Sequence, residues 1–323
     1  MGRNGVVAST PLVSVIMPTH NYGRFIGEAV RSVLDQTVRD LELIIVDDGS
    51  TDDTRECLLD IIDARVLVLA GEQVGISAAM NRGLGAARGR YLARLDSDDR
   101  WVPDMLETQL RVLESNAELS FVYARMQAMD SDGALLPGQF WGRRPRYPDN
   151  PLRSLLFMDC TSNITVVARR EVVERAGGYD ETLSVNEDSD LWIRASRFGN
   201  IRFVDRVLAH CRRHGANITG SDSRHLDDVL EGRAAMLDRA FADELPDNVQ
   251  SVRPRAYFNV YAYAGIARLE RREYAKAWRA FRMASDTGRN PIAAWIHVLI
   301  WVASEQLRRV AVMRNLIDGH RNR

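Results

Sequence analysis

The chain has 323 residues, enough for one large α/β domain and a smaller appendage, and 46% hydrophobic with 27% charged residues excludes a disordered or fibrous protein. The formal net charge of −1 hides an asymmetry: from residue 250 onward 14 Lys/Arg stand against 5 Asp/Glu, a balance of +9, which leaves −10 for the first 249 residues. No nucleic-acid partner is expected of so acidic a body. The basic tail reads either as a solvated helical surface or as a peripheral contact for phospholipid headgroups.

Cys57, Cys160 and Cys211 are widely separated, odd in number and without metal-ligand spacing, as buried thiols in a reducing compartment would be. No apolar run with a basic flank and cleavage site opens the chain. The longest apolar stretch, 292–303, is broken by His297 and falls short of the roughly 20 residues of a spanning helix. A cytoplasmic protein is expected, at most peripheral at the inner face of a membrane.

In chain order, residues 1–11 read as a polar lead-in ending at Pro11. A short β-branched run over 13–17 predicts a buried strand, and Ile26, Ala29, Val30, Val33 and Leu34 repeat at helical spacing. A second strand is predicted at 43–46, a helix at 53–62, a third strand at 66–69 and a helix at 76–87 stopped by Gly89. A fourth strand, 91–95, runs into Asp96-Ser97-Asp98-Asp99. Beyond it, strands are expected at 119–125, 164–168 and 201–204 and an amphipathic helix at 188–198. The stretch 138–151, rich in Pro, Gly and Arg, is expected to be an exposed, mobile loop. After about residue 224 the pattern is helical, and 257–284 suggests one tetratricopeptide-like hairpin with Ala277, Ala280 and Phe281 on a common face.

Strands alternating with helices imply a mostly parallel sheet covered on both faces, with ligands at the carboxyl ends of its strands. Three strands end in polar clusters: Thr19-His20-Asn21, Asp47-Asp48-Gly49-Ser50 and Asp96-Ser97-Asp98-Asp99. The last places three carboxylates within four residues, where each raises the others' proton affinity. Such a cluster either caps the helix expected near 101–103 or holds a divalent cation; hard oxygen ligands with few His or Cys favour Mn2+ or Mg2+. The run Asp47–Thr54 likewise reads as a turn with a helix cap, or as a carboxylate facing a nucleobase or ribose.

The ordered motifs PTHN, VDDGSTDDT, NRGLGAARGRYLARLDSDD and NEDSDLWIRAS resemble the large family 2 of inverting glycosyltransferases, over about residues 12–215. The resemblance implies a GT-A fold: a three-layer α/β/α catalytic domain with a mostly parallel mixed sheet over 12–220. Its nucleotide-binding half would span about 12–100 and its acceptor half about 101–220. A helical region at 224–323 follows, tetratricopeptide-like or membrane-interfacial, where Trp295 and Trp301 flank an apolar run next to Arg308 and Arg309. By the same resemblance Thr19, Asn21 and Asp48 surround the base and ribose of a nucleoside-diphosphate sugar, with Asp47 beside them. Asp98 approaches the ribose or the metal, Asp99 ligates the metal bridging the phosphates, and Arg94 and Asp96 precede that motif, with Arg94 toward the phosphate end. Asn81 matches the family's Asn, although Met80 stands where an Arg usually precedes it.

Inversion needs a base to take the acceptor hydroxyl's proton during attack. The resemblance gives that role to Asp188, with Glu187 and Asp190 orienting the acceptor. Trp192 is expected in the core and Trp141 as a stacking platform for a sugar. His214 and Arg212, in a basic segment after the base, are candidates to contact the diphosphate or complete the metal shell. The expected reaction is sugar transfer from a donor, UDP-linked by family resemblance, to a saccharide or lipid-linked acceptor in surface polysaccharide or glycoconjugate synthesis. A sugar-1-phosphate nucleotidylyltransferase is disfavoured because PTHNYGRF lacks the Gly-rich, basic triphosphate loop. The other alternative is a catalytically inactive nucleotide-binding scaffold.

Overall fold

The computed structural model describes residues 10–156, 161–215, 217, 226–242 and 244–288. Cys160 and the tail residues Trp295, Trp301, Arg308 and Arg309, with the run 292–303, lie outside them. The chain divides into two compact units, 1–217 and 218–323.

The first unit is built on a sheet of nine strands among the described residues. Strand β1 (Val13–Thr19) pairs in parallel with β2 (Leu41–Asp48) and β4 (Tyr91–Arg94), and β2 pairs with β3 (Val66–Gly71). Every residue of β1 and β2 is buried, as expected of β-branched strands covered on both faces. The crossovers are α1 (Gly23–Leu34), α2 (Thr54–Leu59) and α3 (Ile76–Ala86). Helix α1 buries Ile26, Ala29, Val30 and Val33, the stripe its spacing predicts.

The second half of the sheet is mixed. Two-residue β5 (Arg100–Trp101) leads through α4 (Met105–Glu114) to β6 (Leu119–Met129). Among the described residues, strand β7 (Leu135–Trp141) pairs with β6 alone. Then come α5 (Pro151–Leu155), a 3₁₀ turn at Asn163–Thr165, β8 (Val167–Arg169), α6 (Arg170–Arg175), α7 (Glu187–Ala195) and β9 (Asn200–Arg212). The order is β3-β2-β1-β4-β8-β6-β9-β5, with β8 antiparallel to β4 and β6, and β9 parallel to β6. This is the mainly parallel mixed sheet expected.

Several elements depart from the sequence reading. The segment 138–151 is not a loop throughout, because 138–141 completes β7. The strand expected at 164–168 shrinks to Val167–Arg169, and Ile164 sits in the 3₁₀ turn. The helix at 188–198 ends at Ala195 and tightens into a 3₁₀ turn at Ser196–Phe198. The short strand at 201–204 is the start of a 13-residue one.

The second unit contains α8 (Leu226–Ala240), α9 (Asp247–Gln250), α10 (Arg253–Glu270) and α11 (Tyr274–Ser285). Helices α10 and α11 form a hairpin in which Phe258, Ala262 and Ile266 pack on Ala277, Phe281 and Ala284. Leu226 and Leu230 of α8 pack on Ala264, Ala267 and Ala280. Among the described residues no helix is long and apolar enough to cross a membrane.

Candidate active site

Because β1, β2 and β4 are adjacent and parallel, their carboxyl ends open on one edge, and the three polar clusters meet there. Thr19 lies level with Asp47 across the β1–β2 ladder, and Ile16 with Arg94 across β1–β4.

The acids of the β2 turn shape their own loops. Asp47 accepts from the Ser50 amide and from Arg55 Nε, both at 2.9 Å, and although burial opposes its charge these bonds hold its pKa below the usual carboxylate range. Asp48 takes the amides of Val74 and Gly75 at 2.7 and 2.9 Å, pinning the entry to α3. Gly49 between this turn's residues has φ +76°, a left-handed conformation suited to glycine. Asn21, also left-handed at φ 62°, accepts the Thr51 and Asp52 amides at 2.7 and 3.2 Å and so staples the β1 turn to the β2 turn. His20 Nδ1 donates to the Asp48 carbonyl at 2.8 Å. The Thr19 hydroxyl is different: it is buried with no partner among the described residues. Asn81 grips the chain near Tyr179, donating to its carbonyl at 2.8 Å and accepting its amide at 2.9 Å.

The acidic cluster after β4 is held from far along the chain. Asp99 Oδ1 accepts the Arg212 amide at 2.7 Å, and Asp98 Oδ2 accepts from His214 Nε2 at 2.9 Å. The His214 ring stacks on Phe25 with centroids 5.0 Å apart. Burial first, then Asp98 and Asp96, raise the Asp99 pKa well above the usual range, against the opposing pull of Arg212. Among the described residues no three His, Cys, Asp or Glu side chains are grouped to hold a metal on their own. A Mg2+-like ion bound through one or two carboxylates plus substrate phosphates needs no such group. Asp98 and Asp99, with His214 adjoining, fit that mode, since their shared charge is what a cation relieves.

Arg94 joins this cluster to the second motif. It is 8% exposed, and its Nε reaches Asp96 at 2.7 Å while Nη1 reaches Glu187 at 2.9 Å. Burial disfavours its charge, but Asp96 and Glu187 more than offset that and push its pKa up. Glu187 is itself raised by burial, with Arg94 opposing. Two of its three guanidinium nitrogens are committed in this way, so Arg94 is a strut between the two motifs.

Helix α7 starts after Asn186, left-handed at φ 59°. Asp188 is half-buried at its first turn and accepts the Ser189 amide at 2.6 Å. Asp190 pairs with Arg194 at 2.6 Å, one turn on. Trp192 is 5% exposed against Phe121, in the core as expected, whereas Trp141 lies exposed on β7.

Arg212 departs from expectation. Its side chain is 2% exposed and is spent on Glu28, on the Asp98 carbonyl at 2.8 Å and on the Ser131 carbonyl at 3.1 Å, which leaves no face for a diphosphate. Sequence reasoning missed Glu28, which also binds Arg100 at 2.6 Å and is held below the usual carboxylate range by these arginines despite burial. The signal was present only as a charge on the flank of an amphipathic helix. Tyr22, whose hydroxyl pKa is raised by burial and then by Asp98, Asp96 and Asp99, was missed as well.

A parallel β3-β2-β1-β4 edge with polar strand ends is thus joined through Arg94 to a helix bearing a second acidic motif. The sequence profile of glycosyl transferase family 2 matches residues 14–176, and the chain belongs to that family. An uncharacterized glycosyltransferase of Rickettsia prowazekii is 29% identical over 73% of this chain and 74% of its own length. The chondroitin synthase of Escherichia coli is 32% identical over 67% of this chain, which spans only 31% of that enzyme. The putative teichuronic acid biosynthesis glycosyltransferase TuaG of Bacillus subtilis is 46% identical over 37% of this chain and 49% of its own length. Among solved structures, the mannosyltransferase PcManGT of Pyrobaculum calidifontis, in complex with GDP-Man and Mn2+, aligns with TM-score 0.60 and 20% identity over 94% of this chain and 83% of that one. S. aureus TarS with UDP-GlcNAc aligns with TM-score 0.59 and 18% identity over 80% and 72%. The fold is thus GT-A, and the chain is a glycosyltransferase of a family that includes polysaccharide synthases.

Proposed function

We propose that the chain is an inverting transferase that moves a sugar from a uridine-diphosphate-linked donor to a saccharide or lipid-linked acceptor in surface polysaccharide or glycoconjugate synthesis. The reading rests on one observation above all: Arg94 bonds Asp96 and Glu187 together, 93 residues apart in the case of Glu187, and so ties the donor-side acids to the first turn of α7. Chondroitin synthase and TuaG carry polymer synthesis in their names, and TarS and PcManGT carry nucleotide sugars and, in one case, Mn2+, in theirs.

On this reading residues 12–220 form the catalytic region and the helices from 224 onward an accessory one. The buried, unpartnered Thr19 hydroxyl supplies a hydrogen bond to the nucleoside, beside the turns that Asn21, Asp47 and Asp48 hold. Asp98 and Asp99 hold a divalent cation, Mn2+ or Mg2+, with His214 beside them; when bound it neutralises charge on the departing diphosphate. Asp188 accepts the proton of the acceptor hydroxyl as its oxygen bonds the anomeric carbon. The bond from that carbon to the diphosphate oxygen breaks on the opposite face, so configuration inverts. Glu187, neutralised by Arg94, and Asp190, paired with Arg194, fix the helix turn that presents Asp188.

The test is thermal unfolding with a panel of nucleoside diphosphates, with and without Mn2+, on wild type and Asp99→Asn. Metal-dependent stabilisation by UDP that Asp99→Asn loses supports the donor and metal assignments. No shift with any nucleotide would overturn the reading. The anomeric configuration of the product, read by NMR, tests inversion.

A further inference from the structure

We infer that the acceptor is an anionic saccharide, bound by a ledge made of Trp141 and Arg213; this rests on the transferase reading above and names the substrate class of its acceptor side. Arg213 stands between two residues with fixed tasks, Arg212 on Asp99 and His214 on Asp98. Its amide donates to the Met129 carbonyl at 2.8 Å, so the end of the β6–β9 ladder sets its direction. Its two chain neighbours thus each meet an acid, yet among the described residues no carboxylate pairs with the Arg213 guanidinium. Instead the guanidinium lies 5.7 Å from the centroid of the Trp141 ring.

Trp141 is 38% exposed at the end of β7. Gly142 follows at φ +83°, and a Cβ there would come within 2.4 Å of the Ala124 carbonyl, so the chain turns hard against β6 just past the indole and fixes it. Beyond that turn Arg143, Arg144 and Arg146 are all exposed, and Asp149 is the one acid between 138 and 151. An exposed aromatic beside a half-buried cation, continuing into a basic strip, suits a ligand with both an apolar face and a negative charge. The ring face takes the C–H face of a sugar, and the planar fork of arginine takes a carboxylate or phosphate through paired N–H bonds. The same fork would serve the donor diphosphate, but its partnership with Trp141 turns it toward β7 and the arginine strip.

Calorimetric titration of the full chain separates these cases with three probes: a short oligosaccharide of alternating hexuronate and N-acetylhexosamine, its carboxyl-reduced form, and that reduced form carrying a phosphate ester. Binding of UDP with Mn2+ is measured alongside. One anionic probe is expected to bind at least about tenfold tighter than the neutral one, its identity distinguishing carboxylate from phosphate recognition. Arg213→Ala should erase that preference, Arg213→Lys should keep part of it, and Trp141→Ala should weaken every saccharide probe. Neutral and anionic probes binding equally, or a preference that survives Arg213→Ala, overturns the inference. So does Arg213→Ala weakening UDP rather than the saccharide. Failure of wild type to bind UDP with Mn2+ sinks the transferase reading instead, and is read independently of the saccharide titrations.

Discussion

The acids of the β1–β3 edge and those around α7 and the end of β9 are anchored in different ways. Asp47 and Asp48 spend their oxygens on amides and a side chain 3 to 27 residues away, so each folds its own turn. Asp99, Asp98 and Glu187 are held by partners 113, 116 and 93 residues away. The first kind of anchoring builds a rigid rim from local chain; the second brings two motifs together only once the whole sheet has formed. Loosening the rim should cost stability and donor affinity, whereas loosening the long-range ties should cost the alignment of donor and acceptor.

The largest effect that tests this division is at α7. Asp188→Asn is expected to lower kcat by about 10²–10⁴-fold, the range general base catalysis supplies, while UDP binding is unchanged. Normal turnover by that variant would break the assignment. Next is the strut. Arg94→Ala leaves buried Glu187 without its counter-charge, beside a partly exposed Asp96, and should cost about 3 kcal/mol in denaturant unfolding, the low end of the scale for a broken buried ion pair. Arg94→Lys should recover part of that stability yet turn over poorly, because an ammonium lacks the fork that spans both acids. Full activity of Arg94→Lys would show that the two motifs need no common tie. Third, Asp99→Asn should abolish the metal-dependent part of nucleotide stabilisation, about 2.7 kcal/mol at a hundredfold excess over Kd.

The smallest effect concerns the opposite end of the sheet. Buried Glu42 accepts from Ser14 Oγ at 2.6 Å and from the Arg88 amide at 2.7 Å, and these bonds lower its pKa although burial alone would raise it. A depressed carboxylate contributes stability that is present above its unfolded pKa, near 4.3, and is lost as pH falls through the lower folded value. Glu42→Gln should therefore cost about 1–2 kcal/mol at neutral pH, after allowance for the exposed Arg88 side chain, and should flatten the acid limb of the stability curve. Its turnover should match wild type; a lost turnover would mean that the rim and the far end of the sheet are coupled.

The same contrast governs what could be read from the chain alone. Strands β1, β2 and β4 were legible because short apolar runs end in polar turns, a purely local signature. Helix α1 was legible from its stripe. Of strand β9 only 201–204 was legible, since Asp205 and Arg206 interrupt its apolar pattern where it bulges against β6. Strand β7 was hidden by Pro137 and Gly138, which read as loop. At the site, the motif acids could be named from resemblance, but not the work done by Arg94, Arg212 or Glu28. Their partners lie on other elements, and spacing along a chain carries no record of a contact made across 184 residues, as between Glu28 and Arg212.

Strand β7 also bears on how copies of the molecule behave toward one another. A strand with one neighbour offers a row of unsatisfied amides and carbonyls, a template on which a second chain can add. Here Pro137 lacks the amide such pairing needs, and Gly138 at φ 74° bends the strand out of the flat geometry it requires. The two residues that disguise this strand in the sequence thus also guard it against self-association. Replacing Pro137 with valine restores the missing amide without touching the left-handed glycine, and should leave the monomer folded but shift concentrated solutions toward oligomers, visible by light scattering.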